Sequence, residues 1–469
     1  MKKNLIFIWI LSLNTFLFTS PPDTIWTKVY GTMQNEYGRS ILETDDGGYI
    51  IASYWRGYIY LLKTDENGDS VWLRGYDGGK VSMVGDMMLQ KTFDGGYVIG
   101  GTKNADFYLI KVDAIGNPLW GKTINVGGDD SCYSILRTPD SGFVLTGFGS
   151  KIVMVKVNSN GDVVWIKTYK GGNCYYYSYS IIQTIDGFLI VGRKDSLGGY
   201  YKDLFLLKIN FSGDSVWFKN LRQFSASLSA PDAGHSIYPT SDGGCVITGY
   251  QYSYGRGNDV CLVKIDQFGN VLWNKKFGGP GDDRGYAVRE TSDGGYIIVG
   301  KKQVFFGKGN DIWIIKTNSF GDTLWTKTVG GSGEEAGYSI QETSDGNYII
   351  SGYTTSYGAG GADLYLIKLS GSTKEKEKKS KRIFKGIVFK TNIFKDKVYL
   401  NFPNSFKNSK FTLKIYDVSG LCKYKKDILL TSTKIILEDK ELKRILKGLY
   451  FMEIFQGNKR IARIKFIKI

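Results

Sequence analysis

The sequence predicts an all-β chain, a β-propeller of seven blades closed by an N-terminal strand and followed by a small β-sandwich. Three observations carry this. A turn built on Asp-Gly recurs seven times, and so does an apolar strand ending in Lys. A Trp-bearing strand also has seven copies, but one of them stands before the first repeat instead of after the last. Self-similarity at a period near 50 residues is the mark of a repeat architecture.

Gly285–Gly331 is the clearest unit. Its strands are expected at Tyr286–Thr291, Tyr296–Val299, Asp311–Thr317 and Thr323–Thr328. Ser292-Asp293-Gly294-Gly295 turns the first hairpin, and Asn318–Asp322 leads into the fourth strand. Asp-Gly and Asn-Gly tolerate the positive φ that tight hairpin turns need. The first turn returns at Asp46, Asp94, Asp140, Asp186, Asp242, Asp293 and Asp345. The third strand ends in Lys63, Lys111, Lys156, Lys208, Lys264, Lys316 and Lys368. Runs such as Leu204–Leu207 and Ile312–Ile315 lack polar alternation, which suits strands packed on both faces.

The fourth-strand Trp appears at Trp72, Trp120, Trp165, Trp217, Trp273 and Trp325, and as Trp26 ahead of the first unit. The last unit stops after Leu364–Leu369 without its own Trp strand. A ring closes when the N-terminal segment supplies that strand, and radial closure also shortens exposed edges. Each Trp is expected to pack between blades.

Composition fits this layout. Aromatics make up 14% of the chain and there are 60 glycines, as many short strands joined by tight turns require. Thr373–Ile469 holds 26 of the 61 Lys/Arg and 9 of the 45 Asp/Glu, a net charge of +17 that leaves Met1–Ser372 at −1. A basic tail on a neutral body argues against a nucleic-acid surface across the propeller. The tail suits either solvated strand faces, the favoured explanation, or an anionic envelope surface.

Lys2-Lys3 and the apolar run Leu5–Phe18 have the form of an export signal over residues 1–20, cleaved near Ser20 or kept as an anchor. The propeller is assigned to 23–370 and a charged linker to 371–382. Short alternating strands at Val398–Phe402, Phe411–Tyr416, Thr433–Leu437, Gly448–Phe455 and Arg460–Ile469 make 383–469 a small β-sandwich. Five scattered cysteines without a CxxC predict no disulfide framework and no metal knuckle, and the thiols are expected to be buried apolar groups. Symmetric pairing of the Cys245–Cys261 hairpin would set Cys245 against Lys264 and Cys261 against Thr248.

The repeat DGGYIIVG…NDIWIIKTNSFGDTLWTKTVGG resembles those of exported bacterial propellers in the quinoprotein-like superfamily. Asp113–Trp120 and Asp266–Trp273 resemble that group's tryptophan-docking segment. Thr412–Gly420, Leu446–Phe451 and the basic end Lys465–Ile469 resemble the type IX secretion sorting domain, an Ig-like module of Bacteroidota-like bacteria. Asn392-Ile393-Phe394 stands where that family carries Asn-Pro-Phe. The resemblance implies passage through type IX-like secretion machinery to a secreted or outer-membrane surface location, with no transmembrane span in the mature chain. Quinone-dependent relatives often have vicinal cysteines, and this chain has none.

One histidine leaves little room for His-based nucleophilic or zinc chemistry. His235 aligns with Tyr286 and Tyr338 as an inner-strand aromatic. Asp129-Asp130, Asp282-Asp283 and Glu334-Glu335 precede inner strands; adjacent strand residues point to opposite faces, so none is a hydrolytic dyad by itself. Pairing with a neighbouring blade's Lys is the expected role. No cofactor is expected, and calcium is the one ion such oxygen ligands suit. Loops between second and third strands lengthen in units four to seven and gain aromatics. Tyr200, Tyr254, Phe305 and Tyr357 are therefore candidate stacking platforms on one face, with capping of blade edges as the equal alternative. The function expected is non-catalytic binding or scaffolding of a surface glycan or protein. The alternative is a carbohydrate-active or quinone-dependent enzyme.

Overall fold

The structure is a computed structural model. It describes residues 20–76, 88–128, 130–196, 202–221, 232–253, 257–304, 309–371, 388–389, 393–394, 398–401, 408–417, 422–431, 434–437, 448–456 and 459–468. The export-signal segment and most of the linker lie outside these residues. Every regular element among those described is a strand, and the chain divides into two compact units, Met1–Thr373 and Lys374–Ile469. No helix among the described residues is long and apolar enough to cross a membrane.

The first unit is built from four-stranded antiparallel sets with strands in chain order. Glu36–Glu43, Tyr49–Trp55, Tyr58–Thr64 and Ser70–Tyr76 form one such sheet, and Arg284–Glu290, Tyr296–Gln303, Asn310–Thr317 and Thr323–Val329 form another. The third and fourth sets merge into one eight-stranded sheet, because Phe148 pairs Tyr177 and Gly149 pairs Tyr176. In the last set, Glu335–Glu342, Tyr348–Thr354 and Asp363–Leu369 take Thr24–Tyr30 as their fourth strand. This is the displaced Trp strand, paired Trp26 to Lys368 and Tyr30 to Leu364. The architecture is all-β and propeller-like.

Packing explains the apolar runs. Leu204–Leu207 and Ile312–Ile315 are fully or almost fully buried on both faces, and apolar clusters span from each sheet to the next. One of them joins Ile349, Leu364 and Leu366 of the last set to Ile41, Tyr49, Ile51 and Leu62 of the first. Burying such side chains is worth roughly 1.5–3 kcal/mol each.

Polar latches repeat at the same junctions. The Lys closing each third strand pairs with the Asp of its own unit's first turn, in all seven units, as in Lys63–Asp46 at 2.9 Å and Lys316–Asp293 at 2.9 Å. Between units, Glu290 accepts from the Ser241 amide and hydroxyl, Glu342 from Ser292, and Glu43 from Ser344. The last contact, both bonds at 2.8 Å, joins residues 301 apart with the geometry of its neighbours.

The seven repeat tryptophans do pack between sheets, although six are half-buried and only Trp325 of the seven is buried. Six of them lie on the glycine of the next unit's second turn: Trp26 on Gly68, Trp72 on Gly116, Trp120 on Gly161, Trp165 on Gly213, Trp217 on Gly269 and Trp273 on Gly321. Two residues on, a Lys reaches the same turn: Lys28–Asp69 at 2.6 Å, Lys167–Asp214 at 2.7 Å and Lys275–Asp322 at 2.9 Å. After Trp325, Lys327 donates instead to the Pro22 carbonyl at 3.1 Å.

Two expectations are corrected. The Cys245–Cys261 hairpin pairs Cys245 with Ile265 and Cys261 with Gly249, one residue from the symmetric register, because the strands run on to Ser253 and Gly257. That extension also makes strand of Gln251–Ser253, expected as loop. All five cysteines are free, yet Cys174 is half-buried and Cys422 is exposed.

In the second unit, Lys410–Asp417, Cys422–Leu429, Gly448–Gln456 and Lys459–Lys468 form a five-stranded sheet with Ile393–Phe394. Val388–Phe389, Val398–Asn401 and Lys434–Leu437 form a three-stranded one. Leu413, Ile415, Met452 and Ile454 are fully buried. Cys422–Leu429 was not anticipated as a strand. It is an edge strand whose lysines mask its alternation and guard its open side.

Candidate functional site

In six of the seven sets the first strand carries a β-bulge at one place, and the corresponding residues of the second set lie outside the described ones. Register slips between Gly38 and Ser40, Cys132 and Ser134, Ser178 and Ser180, Gly234 and Ser236, Gly285 and Ala287, and Gly337 and Ser339. A bulge leaves one residue out of the ladder and re-aims its side chain. The residues left out are Arg39, Tyr133, Tyr179, His235, Tyr286 and Tyr338. Small residues on either side let neighbouring sheets close in: a Cβ at Gly337 would meet Val299 Cγ2 at 2.5 Å.

These side chains touch in series from unit to unit. Ring centroids are 5.6 Å apart for Tyr133–Tyr179, 5.0 Å for Tyr179–His235, 5.3 Å for His235–Tyr286 and 5.1 Å for Tyr286–Tyr338. The Arg39 guanidinium lies 3.9 Å from the Tyr338 ring centre. His235 therefore occupies the aromatic position expected of it. Burial pushes its pKa down to about 3, and its Nδ1 lies 2.8 Å from the Gly285 carbonyl. A carbonyl only accepts, so the neutral ring carries its proton on Nδ1.

A second tier lies on the side of the second-to-third-strand loops, formed by the cross-strand pairs Tyr37–Tyr54, Ser131–Phe148, Tyr177–Arg193, Ala233–Tyr250, Arg284–Lys301 and Ala336–Tyr353. Arg193 stacks 4.2 Å over Tyr177 and donates to the Tyr250 hydroxyl at 3.2 Å. Arg284 lies 4.7 Å over the other side of the junction, on the Tyr250 ring. Asp195 pairs with Arg193 at 2.7 Å, and Asp282 pairs with Arg284 at 2.8 Å and Lys301 at 3.5 Å. Sequence reasoning placed His235 in this ring but missed Arg39, Arg193, Tyr250 and Arg284. The signal available was the position itself: each follows from counting to the small-x-small bulge in every unit.

The carboxylate pairs serve the loops rather than a neighbouring unit's Lys. Asp283 is buried and accepts the Gln303 amide at 2.9 Å and the Gly279 amide at 3.2 Å. Glu335 is buried and accepts the Gly331 amide at 2.9 Å and the Thr354 hydroxyl at 2.7 Å. Glu36, Asp130 and Asp232 hold the same place, three residues before the bulge. Burial raises the Asp232 pKa to about 6. Asp282, the outward member of its pair, is held below the usual range despite burial, by the Asn258 amide and by Arg284. Asp129 lies outside the described residues.

Of the four predicted platforms, Tyr200, Tyr254 and Phe305 lie outside the described residues. Tyr357 is 46% exposed, and its hydroxyl donates to the Gly330 carbonyl at 3.0 Å. It thus fastens the junction between the sixth and seventh sets while leaving nearly half its surface to solvent. Tyr175 is 40% exposed and stacks on Phe148 at 5.7 Å.

No protein-family model matches the sequence, and no curated protein matches it. Among solved structures, the chain is similar to a protein of unknown function from Bacteroides caccae, with 13% identity over 64% of this chain and 94% of that one and a TM-score of 0.39. It is also similar to one from Dyadobacter fermentans, with 12% identity, 74% and 98% coverage and a TM-score of 0.44. The Neurospora crassa Pan2 WD40 domain shares 11% identity over 74% of this chain and 98% of its own, at a TM-score of 0.43.

Proposed function

We propose that the chain is a seven-bladed β-propeller acting as a non-catalytic binding or scaffold module at the cell surface. Its ligand face is the one where the second-to-third-strand loops emerge. The observation that supports this best is the two-tier ring of aromatic and cationic side chains, which offers stacking and hydrogen-bonding groups. The carboxylates beside it hold loop amides or pair with Arg and Lys, so the described residues supply binding groups rather than an acid–base pair. Screening the full chain against envelope glycans and proteins tests the role. Retention that is lost on Tyr175→Ala or Tyr357→Ala supports it, and hydrolysis of a retained glycan would refute the non-catalytic part.

The export route belongs to the same proposal. Residues 1–20 act as the signal and 383–469 as an Ig-like sorting domain of type IX kind, which the basic alternating strands support. Fractionation of cells expressing the full chain and a chain lacking 383–469 tests it. Surface location of the full chain alone is the expected result, and equal location of both would refute the sorting role.

A further inference from the structure

In an antiparallel four-stranded set the first and second turns leave at one end and the second-to-third-strand loop at the other. The turn end therefore lies opposite the second tier, and it is uneven from unit to unit. In units five to seven the first turn carries Ser241, Ser292 and Ser344, each bonded to a Glu of the next unit. In units two to four the same position holds Phe93, Pro139 and Ile185. All three are exposed, Phe93 by 62% and Ile185 by 97%.

The latching Glu is missing at the same junctions. Arg137, Gln183 and Pro239 stand where Glu290 stands in unit six. Arg137 instead lies 4.0 Å from the Phe93 ring centre and donates to the Lys91 carbonyl at 2.8 Å. The turn carboxylates beside these tips are closed by lysines, Asp94 by Lys111, Asp140 by Lys156 and Asp186 by Lys208. Second turns add Ile115 and Phe211, both exposed, to the same sector. A latch of two hydrogen bonds has thus been given up three times for apolar side chains held in water. Such tips are convex and separated by polar turns, so they suit a medium that deforms around them, apolar below and phosphate-bearing above.

The course of the chain agrees. The seventh set has no second turn, and in its place the Asp23 carbonyl accepts the Ser370 amide at 2.9 Å. The sequence before Asp23, with the apolar run Leu5–Phe18, therefore joins the propeller at the turn end. A run of that kind is handled at a lipid bilayer.

We propose that the turn end of units two to four docks on a phospholipid bilayer. Phe93, Pro139 and Ile185 enter the acyl boundary, and the Arg137 guanidinium meets a lipid phosphate. The loop end then faces away from the bilayer, open to the ligand role proposed above, and the two readings stand or fall separately. Flotation of the full chain with phosphatidylcholine vesicles tests the docking, in about 0.5 M salt to screen the basic charge of Thr373–Ile469. The chain should float with the vesicles. Phe93→Ser combined with Ile185→Ser restores the residue that units five to seven carry. It should weaken vesicle binding about tenfold or more, with an unchanged urea midpoint, because two large apolar side chains no longer leave water. A parent chain that ignores the vesicles, or a folded double variant that binds them equally, would overturn the proposal. Capture of an envelope protein through these residues by a chain that ignores vesicles would make the occupant a protein, and would overturn it as well.

Discussion

Replacing Gly321 by Ala isolates the contact that ties each tryptophan to the next unit. Gly321 and Gly294 lie in the two turns of one unit, and both have φ of +78°. Alanine costs about 1–2 kcal/mol at either position, because its Cβ crowds the carbonyl in the left-handed region. Around Gly294 the added methyl meets nothing within 4 Å, whereas at Gly321 it meets Trp273 Cζ3 at 2.8 Å and Lys275 Cγ at 2.9 Å. The indole must swing off the turn and the Lys275–Asp322 pair must shift, an overpacking cost of about 1–3 kcal/mol. Gly321→Ala should therefore cost about 2–5 kcal/mol and Gly294→Ala about 1–2, in urea unfolding followed by tryptophan fluorescence. In a Trp273→Ala background the gap between the two should narrow to what the Lys275 contact alone costs. Equal costs in the parent chain would refute tryptophan docking as the source of the junction's stability.

Closure makes a second prediction: Glu43→Ala and Glu342→Ala should each cost about 1 kcal/mol, since each removes two exposed hydrogen bonds from a Ser amide and hydroxyl to a carboxylate. A silent Glu43→Ala beside a costly Glu342→Ala, measured by urea midpoint, would break the ring. The turn carboxylates predict acid sensitivity. Asp46 and Asp94 are held to about 2, Asp46 by the Thr44 hydroxyl and Lys63, and Asp94 by Lys111 and the Thr92 hydroxyl. Depressed folded pKa values give stability that is present above the unfolded value and lost as pH falls from about 4 through 2. Asp94→Asn should flatten that fall in midpoints measured from pH 5 to 2. Asp232 has the opposite sign. Its pKa is raised to about 6 by burial, so the native chain holds a proton that the unfolded chain releases, and stability falls as pH rises from 4 to 6. Asp232→Asn should remove that fall and raise the midpoint at pH 7.

The repeat was legible because fold and sequence share a period, and its departures carried the topology. Trp26 pairs where the missing strand belongs because only a strand with that spacing sets a Trp on Gly68 and a Lys on Asp69. The turn Asp and the strand-ending Lys were each visible seven times. Their pairing was not, since they lie 16 to 23 residues apart and meet only when the second and third strands are in register. The Cys245 hairpin was misregistered by one because symmetry about a loop assumes where the strands end, and these strands continue past Gln251.

The candidate site was less legible for a related reason. Alternation along a strand assigns each residue to one face or the other, and a bulge suspends that rule for one residue per unit. Arg39, Tyr133, Tyr179, His235, Tyr286 and Tyr338 are those residues, so reading the strands by alternation alone distributes them between the packing faces. Small neighbours such as Gly234 and Ser236 mark the place, because two sheets approach too closely there for a larger side chain. The identity at the bulge is thereby freed from packing between sheets, and the six described units place tyrosine four times, histidine once and arginine once. A scaffold whose Lys–Asp latches recur in every unit while its bulge residues vary between aromatic and cationic can alter that lining without altering how it folds.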